Sequence, residues 1–473
     1  MKPRFNLISQ CKTLALLTLG VIALCLITTI YHPNKILICP PSHNVFYPLL
    51  TTTTDDQYSP TNLSHLVFGL LASEKAWHQR KSYIESWWRP NYTRGFLFLD
   101  KPPSPGLLPW PETSPPYRIS DDLTQLLNKS EIRPQRMVHG IMEVLRELGD
   151  DEDFRWLVMG DDDSIFFVDN MVDVLAKYDH TKYHYIGGHS ENILSNYLFS
   201  FNQAFGGGGI MLSYPLAKAV ARDMESCLKR YVFLNSADNT TRACIADIGA
   251  NMSPHKGNHQ IDLNGDISGF LSSHPQSPLL SLHHFDKVDP IFPNMDRFES
   301  TRHLMKPGAV DQSRLLQQTI CHHRQSNWSF SIAWGYSAQI YENILPRSYL
   351  HKPIETFKPW IRTPRPPNYL FDTRRPSWDP CEAPHLFFFE SVTAKSEGRE
   401  ILTSYSRAWP RGLPACPSTG NHSADHIHRI QVFSPAIKRP TQMDRCECCD
   451  IIRVDGAKAE IRFRDCLINE IIA

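Results

Sequence analysis

The segment RWLVMGDDDSIFF, residues 155–167, sets the tightest limit on how this chain can fold. Trp156, Leu157, Val158 and Met159 form an apolar run that reads as a buried strand. Asp161, Asp162 and Asp163 follow almost at once. Consecutive carboxylates beside a buried strand repel, and unless compensated they titrate upward or lower stability. The fold must bring them a counter-charge, or else leave them in a solvated turn or helix cap.

The surrounding pattern suggests where that counter-charge lies. LVFGLLAS (66–73) and GFLFLD (95–100) read as further buried strands. WHQRKSYIESWW (77–88), RMVHGIMEVLREL (136–148) and DNMVDVLAKY (169–178) carry apolar residues at helical spacing, with Asp169 as an N-cap of the last. Strands alternating with helices predict an α/β domain with a largely parallel sheet. Such sheets bind ligands beyond the carboxyl ends of their strands, where the aspartates sit.

Composition narrows the class. In 473 residues, 49 Lys and Arg balance 49 Asp and Glu, so no overall field favours nucleic acid. Lys2, Arg4 and Lys12 precede the uncharged run LALLTLGVIALCLITTI (14–30), which with its flanks just reaches bilayer length. The basic flank orients residues 13–31 as a signal-anchor with a cytosolic tail, 1–12, and a lumenal body. A cleaved signal peptide is the rival, but no small-x-small site follows. Acceptor sequons at Asn62, Asn91, Asn128, Asn239, Asn327 and Asn421, with a poorer one at Asn251, agree with a lumenal glycoprotein. So do Cys321, Cys381, Cys416, CECC (446–449) and Cys466, which read as disulfides rather than as a zinc site. Cys227 and Cys244 either bridge or stay as buried thiols. Residues 32–62, rich in Pro, Thr, Ser and Asn, suggest a stem.

A divalent cation removes the repulsion in the triplet, and Mg²⁺ or Mn²⁺ takes one or two carboxylates together with substrate phosphates. In a strand-to-loop turn the first and third aspartates can face one way and the middle one another. Downstream, FNQAFGGGGIMLSYPLAKAV (201–220) places four glycines before a short strand and a helix opened by Pro215. Glycines admit close approach of a ligand, although a sharp turn explains them equally well. SPLLSLHHFD (277–286) puts His283 and His284 after another apolar run, either as metal ligands or as structural imidazoles.

Taken in order, W…R…SWW, GFLFLD, WLVMGDDD, YIGGHSE, AFGGGGIMLS, an acidic segment and SLHH resemble the fringe-type β-1,3-glycosyltransferases. The resemblance is strongest over residues 63–300 and nearest to the plant fringe-related branch, whose text NWSFSIAWGYSAQIYENILP also resembles. It implies a GT-A fold, a UDP-sugar donor, Mn²⁺ and inversion at the anomeric carbon. By motif match it implies Asp163 as main metal ligand, His283 or His284 completing the set, and Asp161 and Asp162 helping to hold metal and ribose. It also implies nucleotide contact at Asp100 and a donor and acceptor cleft lined by Gly207, Gly208 and Gly209.

The resemblance breaks at the base. In SADNTTRACIADIG (236–249) Asp238 fills the first acidic place, but Asn239 stands where the family has its proton acceptor. An amide accepts no proton at neutral pH, and Asn239 opens a sequon whose glycan would obstruct the cleft. Three readings stay open: Asp238 is the base, Asp247 is the base, or transfer is lost. The expectation is a type II Golgi membrane protein with a lumenal GT-A domain over 63–300. Its UDP-sugar donor would supply a hexose or N-acetylhexosamine to a glycan or glycoprotein hydroxyl. Residues 301–473 would form a Cys-containing accessory region packed on that domain; there Glu355, Phe357 and Trp360 suggest sugar contacts, or ordinary core use. The rivals are a non-catalytic, sugar-nucleotide-binding or lectin-like Golgi protein and, less well supported, a metal-dependent phosphohydrolase.

Overall fold

The apolar runs become strands because both of their faces are covered. The structure, a computed structural model, describes residues 60–149, 153–395, 399–417, 423–439 and 445–472. The expected cytosolic tail, signal-anchor and nearly all of the stem lie outside these residues. Among the described residues no helix is long and apolar enough to cross a membrane.

The first strands are β1 (Leu66–Leu71), β2 (Arg94–Leu99), β3 (Tyr117–Ile119), β4 (Trp156–Asp161), β5 (Ile165–Phe166), β6 (Tyr185–Gly187), β7 (Ile210–Ser213) and β8 (Met252–Pro254). Seven of them form one sheet in the order β3-β2-β1-β4-β7-β6-β8. Only β7 runs against its neighbours, so the sheet is largely parallel as expected.

Alternate residues of each strand feed two apolar layers, as the two-residue strand period requires. Leu66, Phe68 and Leu70 of β1, with Trp156 and Val158 of β4, meet Trp77, Tyr83 and Ile84 of the helix Glu74–Glu85. Val67, Leu71, Leu157 and Met159 face the other way, onto the helices Arg133–Leu148, Tyr214–Arg230 and Ala237–Asp247. The last two helices are joined by the Cys227–Cys244 disulfide, which settles that alternative in favour of a bridge.

One cap differs from expectation. The helix Val168–Leu175 starts at Phe167, and Asp169 lies inside its first turn. The Asp169 carboxylate is held instead by both terminal nitrogens of Arg89, at 2.8 and 2.6 Å, a bidentate pair.

Short strands β9 (Asn258–His259), β10 (Leu263–Gly265) and β11 (Ser281–Leu282) sit beside the large sheet. β11 pairs antiparallel with β5 and parallel with β9. Beyond residue 317 come β12 (Gln318–His323), β13 (Trp328–Ala333), β14 (Ser337–Tyr341), β15 (Phe357–Pro359), β16 (His385–Lys395), β17 (Glu400–Arg407), β18 (Arg429–Pro435), β19 (Cys448–Asp455) and β20 (Lys458–Arg464). All but β15 build an eight-stranded sheet, antiparallel except where β18 meets β20. Cys321–Cys449, Cys381–Cys416 and Cys448–Cys466 staple this region, leaving Cys446 as a thiol. One apolar cluster runs from Leu66 through Phe166 and Trp334 to Phe463, so both sheets share a core. Pro60–Ala473 accordingly forms a single compact unit.

Candidate active site

The triplet sits at the carboxyl end of β4, where a local turn fixes its geometry. The Asp161 N–H donates to Ser164 Oγ at 2.8 Å, and the Ser164 N–H donates back to Asp161 O at 3.2 Å. The pairing of β5 with β11 then brings His283 to this turn: Leu282 is opposite Ile165, so the residue after β11 lies beside the residue before β5.

Asp161, Asp163 and His283 consequently converge, each offering a ligand atom within 4.8 Å of the others. His283 Nε2 stands 3.2 Å from Asp163 Oδ1 and 3.7 Å from Asp161 Oδ2. The middle aspartate turns away to Arg80, with Asp162 Oδ1 at 2.7 Å. Arg80 also reaches Asp163 at 3.2 Å and Asp286 at 2.5 Å. This answers in part how the crowded charge is tolerated: four carboxylates, Asp161, Asp162, Asp163 and Asp286, face three basic side chains, Arg80, His283 and, at Asp286, Lys287. Negative charge remains in excess.

The titration shifts follow that imbalance. Burial pushes the Asp161 carboxyl up to about 7. Burial also raises Asp162, reinforced by Asp163 and opposed by Arg80. Asp163 is raised by burial as well, but His283 and Arg80 outweigh this and hold it below the usual carboxylate range. Burial lowers His283, yet Asp163 and Asp161 overcome it and lift the imidazole to about 9. In the metal-free chain a protonated His283 thus supplies positive charge.

The donor set fits a hard-to-borderline divalent cation. Asp163 Oδ2 is buried without a hydrogen-bond partner among the described residues, which is costly unless a cation takes it. His283 Nδ1 faces Gln260 Oε1 at 3.2 Å. The amide oxygen can only accept, so it places a proton on Nδ1 and turns Nε2 to the aspartates, as outer partners of metal-bound imidazoles do. Two carboxylates and an imidazole suit Mn²⁺.

His284 goes elsewhere. Its backbone is left-handed at φ 67°, and its Nδ1 meets Asp262 Oδ1 at 3.1 Å. Its ring stacks on His283 with centroids 3.9 Å apart. Between the two histidines the structure therefore brings His283 to the triplet and commits the Nδ1 of His284 to Asp262.

The glycines close the other side. Gly207 packs so tightly against His283 that an added Cβ would stand 2.0 Å from its Cε1. The Gly207 carbonyl accepts from Ser164 Oγ at 2.7 Å. The Gly208 N–H donates to Gln260 Oε1 at 3.1 Å, and its carbonyl accepts from Asn258 Nδ2 at 3.0 Å. Gly209 has φ 93°, a conformation favouring glycine, and lies against Phe166. These glycines fit the loop to the ligand cluster through backbone contacts.

Three adjoining cavities run past the triplet. The largest, about 870 Å³, is lined by Lys75, Arg80, Asp100, Asp121, Arg133 and Arg136 among others. Asp100 Oδ1 there accepts from the Glu74 N–H at 2.7 Å, at the start of the helix Glu74–Glu85. A second cavity shares Arg80, Arg133 and Arg136 with the first and adds Asp161 and Asp162. A third shares Met137 and Asp161 with the second and adds Gly206 and Asp238. Asp100 and Asp238 thus lie along one trough with Asp161 between them. Another cavity, of about 650 Å³, lies by His189, Phe270 and Phe371, away from the triplet. Its buried chain Glu191–His259–His274 is internally paired, at 2.7 and 2.9 Å.

Among the three base candidates the geometry discriminates. Asp238 Oδ1 accepts from the Gly206 N–H at 2.8 Å, and burial pushes its carboxyl up to about 6. Asn239 turns its amide oxygen to Arg242, at 3.2 and 3.0 Å. The Asn239 sequon is folded into the helix, with Thr241 only 4% exposed, so the folded chain does not present it. Asp247 is tied to Arg230 at 2.7 Å and to the Tyr231 hydroxyl at 2.8 Å, outside the trough linings. Sequence reasoning gave no role to Arg80, Gln260, Asp262 or Asp286; Arg80 stands as the R of W…R…SWW, and Asp286 lies two residues after the His pair in SLHHFD.

Comparison with known families agrees with this layout. A family model described as "Fringe-like" matches residues 125–246, from just before the helix Arg133–Leu148, through the triplet, to the Asp238 helix. A second, described as "Protein of unknown function, DUF604", matches residues 195–449, more than half of the chain. No curated relative matches the chain. The mixed α/β fold with its parallel sheet is consistent with a GT-A-like frame. The chain belongs to the DUF604 family, and its residues 125–246 are similar to the fringe-like family.

Proposed function

We propose that this chain is an inverting, Mn²⁺-dependent transferase. It moves a hexose or N-acetylhexosamine from a UDP-sugar to a hydroxyl of a glycan or glycoprotein, forming a β-1,3 link. The observation that carries the reading is the Asp161–Asp163–His283 group, with its orphaned Asp163 oxygen, between the cationic cavity at Asp100 and the carboxylate of Asp238.

Asp161, Asp163 and His283 would hold Mn²⁺, and Arg80 would keep Asp162 and Asp286 neutralised beside it. Bound there, the ion supplies Lewis-acid stabilisation of the departing diphosphate. Lys75, Arg133 and Arg136 give the larger cavity the charge a nucleotide diphosphate needs, while Asp100 and Asp121 offer acceptors for ribose or base. Asp238 takes the proton of the attacking hydroxyl; a carboxyl near 6 is ionised at neutral pH yet more basic than an exposed aspartate. Gly206 orients that carboxylate through its N–H.

The same reading places the chain in the Golgi membrane as a type II protein anchored by residues 13–31, within the plant fringe-related branch. The disulfides among the described residues support an oxidising compartment. The second reading, a sugar-nucleotide-binding protein without transfer, draws on Asn239. The orientation of Asn239 onto Arg242 weakens it, since the neighbouring Asp238 lines the trough instead. Hydrolysis of a panel of UDP-sugars in Mn²⁺ tests the choice. Turnover of at least one donor that Asp238→Asn abolishes is expected; binding without any turnover would favour the second reading.

A further inference from the structure

Beside the ligand group stacks an aromatic side chain that the fringe-like segment does not supply. β15 pairs antiparallel with β10, Pro359 opposite Leu263, so the next residue, Trp360, falls opposite Asp262. The Trp360 backbone N–H donates to Asp262 O at 3.1 Å. The Asp262 carboxylate holds His284 Nδ1 at 3.1 Å and accepts from Ser190 Oγ at 2.5 Å. One residue therefore fixes both rings. The indole lies on His284 with centroids 5.0 Å apart and planes 4° from parallel, and His284 lies on the ligand His283. Trp360 is two rings from the metal group.

The segment carrying it is tied down on both sides. Asn192 Nδ2 donates to Ile361 O at 2.8 Å, Ile193 N–H to Asn368 O at 3.0 Å, and Leu370 N–H to Glu191 O at 3.0 Å. Such anchoring places a side chain accurately, and yet this one is left open. Trp360 is 37% exposed, whereas Trp77, Trp156, Trp328 and Trp334 are essentially buried. Its indole N–H has no hydrogen-bond partner among the described residues. A tryptophan used as filler would be covered. A flat apolar face with a spare donor at its edge, held rigid beside a reaction centre, matches a pyranose, which has a C–H face and peripheral hydroxyls.

We propose that Trp360 is the platform on which a pyranose ring rests during transfer, so that the region after β14 completes the site. This rests on the transferase reading above. The ring belongs either to the donor or to the receiving glycan, and the chemistry of recognition is the same.

Titrations of the full chain, Trp360→Ala and Trp360→Phe test it with three probes: UDP with Mn²⁺, UDP-galactose or UDP-N-acetylglucosamine with Mn²⁺, and simple methyl glycosides followed by saturation-transfer NMR. Trp360→Ala is expected to weaken a sugar-bearing probe by about tenfold, the scale of one aromatic contact, while UDP stays within about twofold. Trp360→Phe should recover most of the loss. A loss confined to UDP-sugars assigns the donor ring, and one confined to glycosides assigns the receiving ring; both support the platform. The proposal is overturned if no sugar probe binds the wild type, if Trp360→Ala leaves every sugar probe unchanged, or if UDP weakens as much as they do, which would make Trp360 a prop for His284. Glycoside binding needs neither nucleotide nor metal. A chain that binds glycosides through Trp360 but not UDP would therefore overturn the transferase reading and spare the platform.

Discussion

Gly207→Ala offers a sharp test of how the glycine loop supports the ligand cluster. The new Cβ would stand 2.0 Å from Cε1 of His283 and 2.4 Å from both ring nitrogens. Nonbonded carbons touch at about 3.5–4.0 Å, so the ring must withdraw by roughly 1.5 Å. It has no room to do so by sliding, because His284 already stacks on it at 3.9 Å. The imidazole must swing out of its rotamer and leave Asp163. Metal–ligand distances hold to about 0.2 Å, so a shift of that size removes His283 from the set. Disturbing an outer partner of a metal ligand weakens binding by about 10–100-fold, and displacing the ligand itself should reach at least the upper end. The cost in stability is smaller, about 1–3 kcal/mol for overpacking. Electron paramagnetic resonance of free Mn²⁺ measures the affinity, and thermal unfolding without metal checks the fold. Gly249→Ala is the control: Gly249 has φ 89° but no atom within 4 Å of an added Cβ, so this variant carries backbone strain and keeps Mn²⁺. If Gly207→Ala folds and binds Mn²⁺ as the wild type does, His283 is not held for a metal by this loop.

The base assignment predicts that Asp238→Asn abolishes transfer but leaves UDP affinity in Mn²⁺ unchanged. Asn239→Asp should leave the rate within about twofold, since its carboxylate would pair with Arg242; a large gain would move the base to position 239. The buried Glu342 of β14's C-terminal edge predicts acid lability of the C-terminal sheet. Burial raises its carboxyl, but hydrogen bonds from His385, the Cys416 and Ala424 N–H groups and Ser423 outweigh this and hold it at about 2. A depressed folded value contributes stability above the unfolded value of 4.5, lost as pH falls toward 2. Glu342→Gln should therefore flatten the urea midpoint between those limits, and an unchanged acid profile would contradict the assignment. The Cys227–Cys244 bridge closes a 17-residue separation. Replacing both cysteines by serine should cost about 3 kcal/mol in unfolding, and an unaltered melting temperature would deny the bridge that role.

Much of the sheet was legible because its strands are buried on both faces and so read as unbroken apolar runs, from LVFGLL to WLVMGD. The opposed facing of Asp161 and Asp163 against Asp162 was also legible, since it follows from backbone alternation at a strand end. Arg80 was not. Its partner Asp162 is 82 residues away, and although Arg80 is the R of W…R…SWW, nothing in WHQRKSYIESWW ties it to the triplet. Nor could adjacent histidines be told apart: the left-handed backbone at His284 and its tie to Asp262 are tertiary facts. Asp169 looked like a cap by local rules, but Arg89 took it across a distance of 80 residues. The C-terminal sheet escaped notice because its later strands are separated by long Pro-rich stretches such as residues 342–384, and its order joins strands far apart in the chain, as β14 with β16 and β18 with β20. Trp360 was read, with Glu355 and Phe357, as a sugar contact or as ordinary core; Phe357 is buried in the core, and the place of Trp360 above His284 depends on the β10–β15 register.

The most direct measurement is a calorimetric titration of UDP into the full chain and into Asp163→Ala, with and without Mn²⁺. The account predicts tight binding by the wild type only when Mn²⁺ is present, and weak binding by Asp163→Ala in both conditions. Equal wild-type affinities with and without the ion would contradict it.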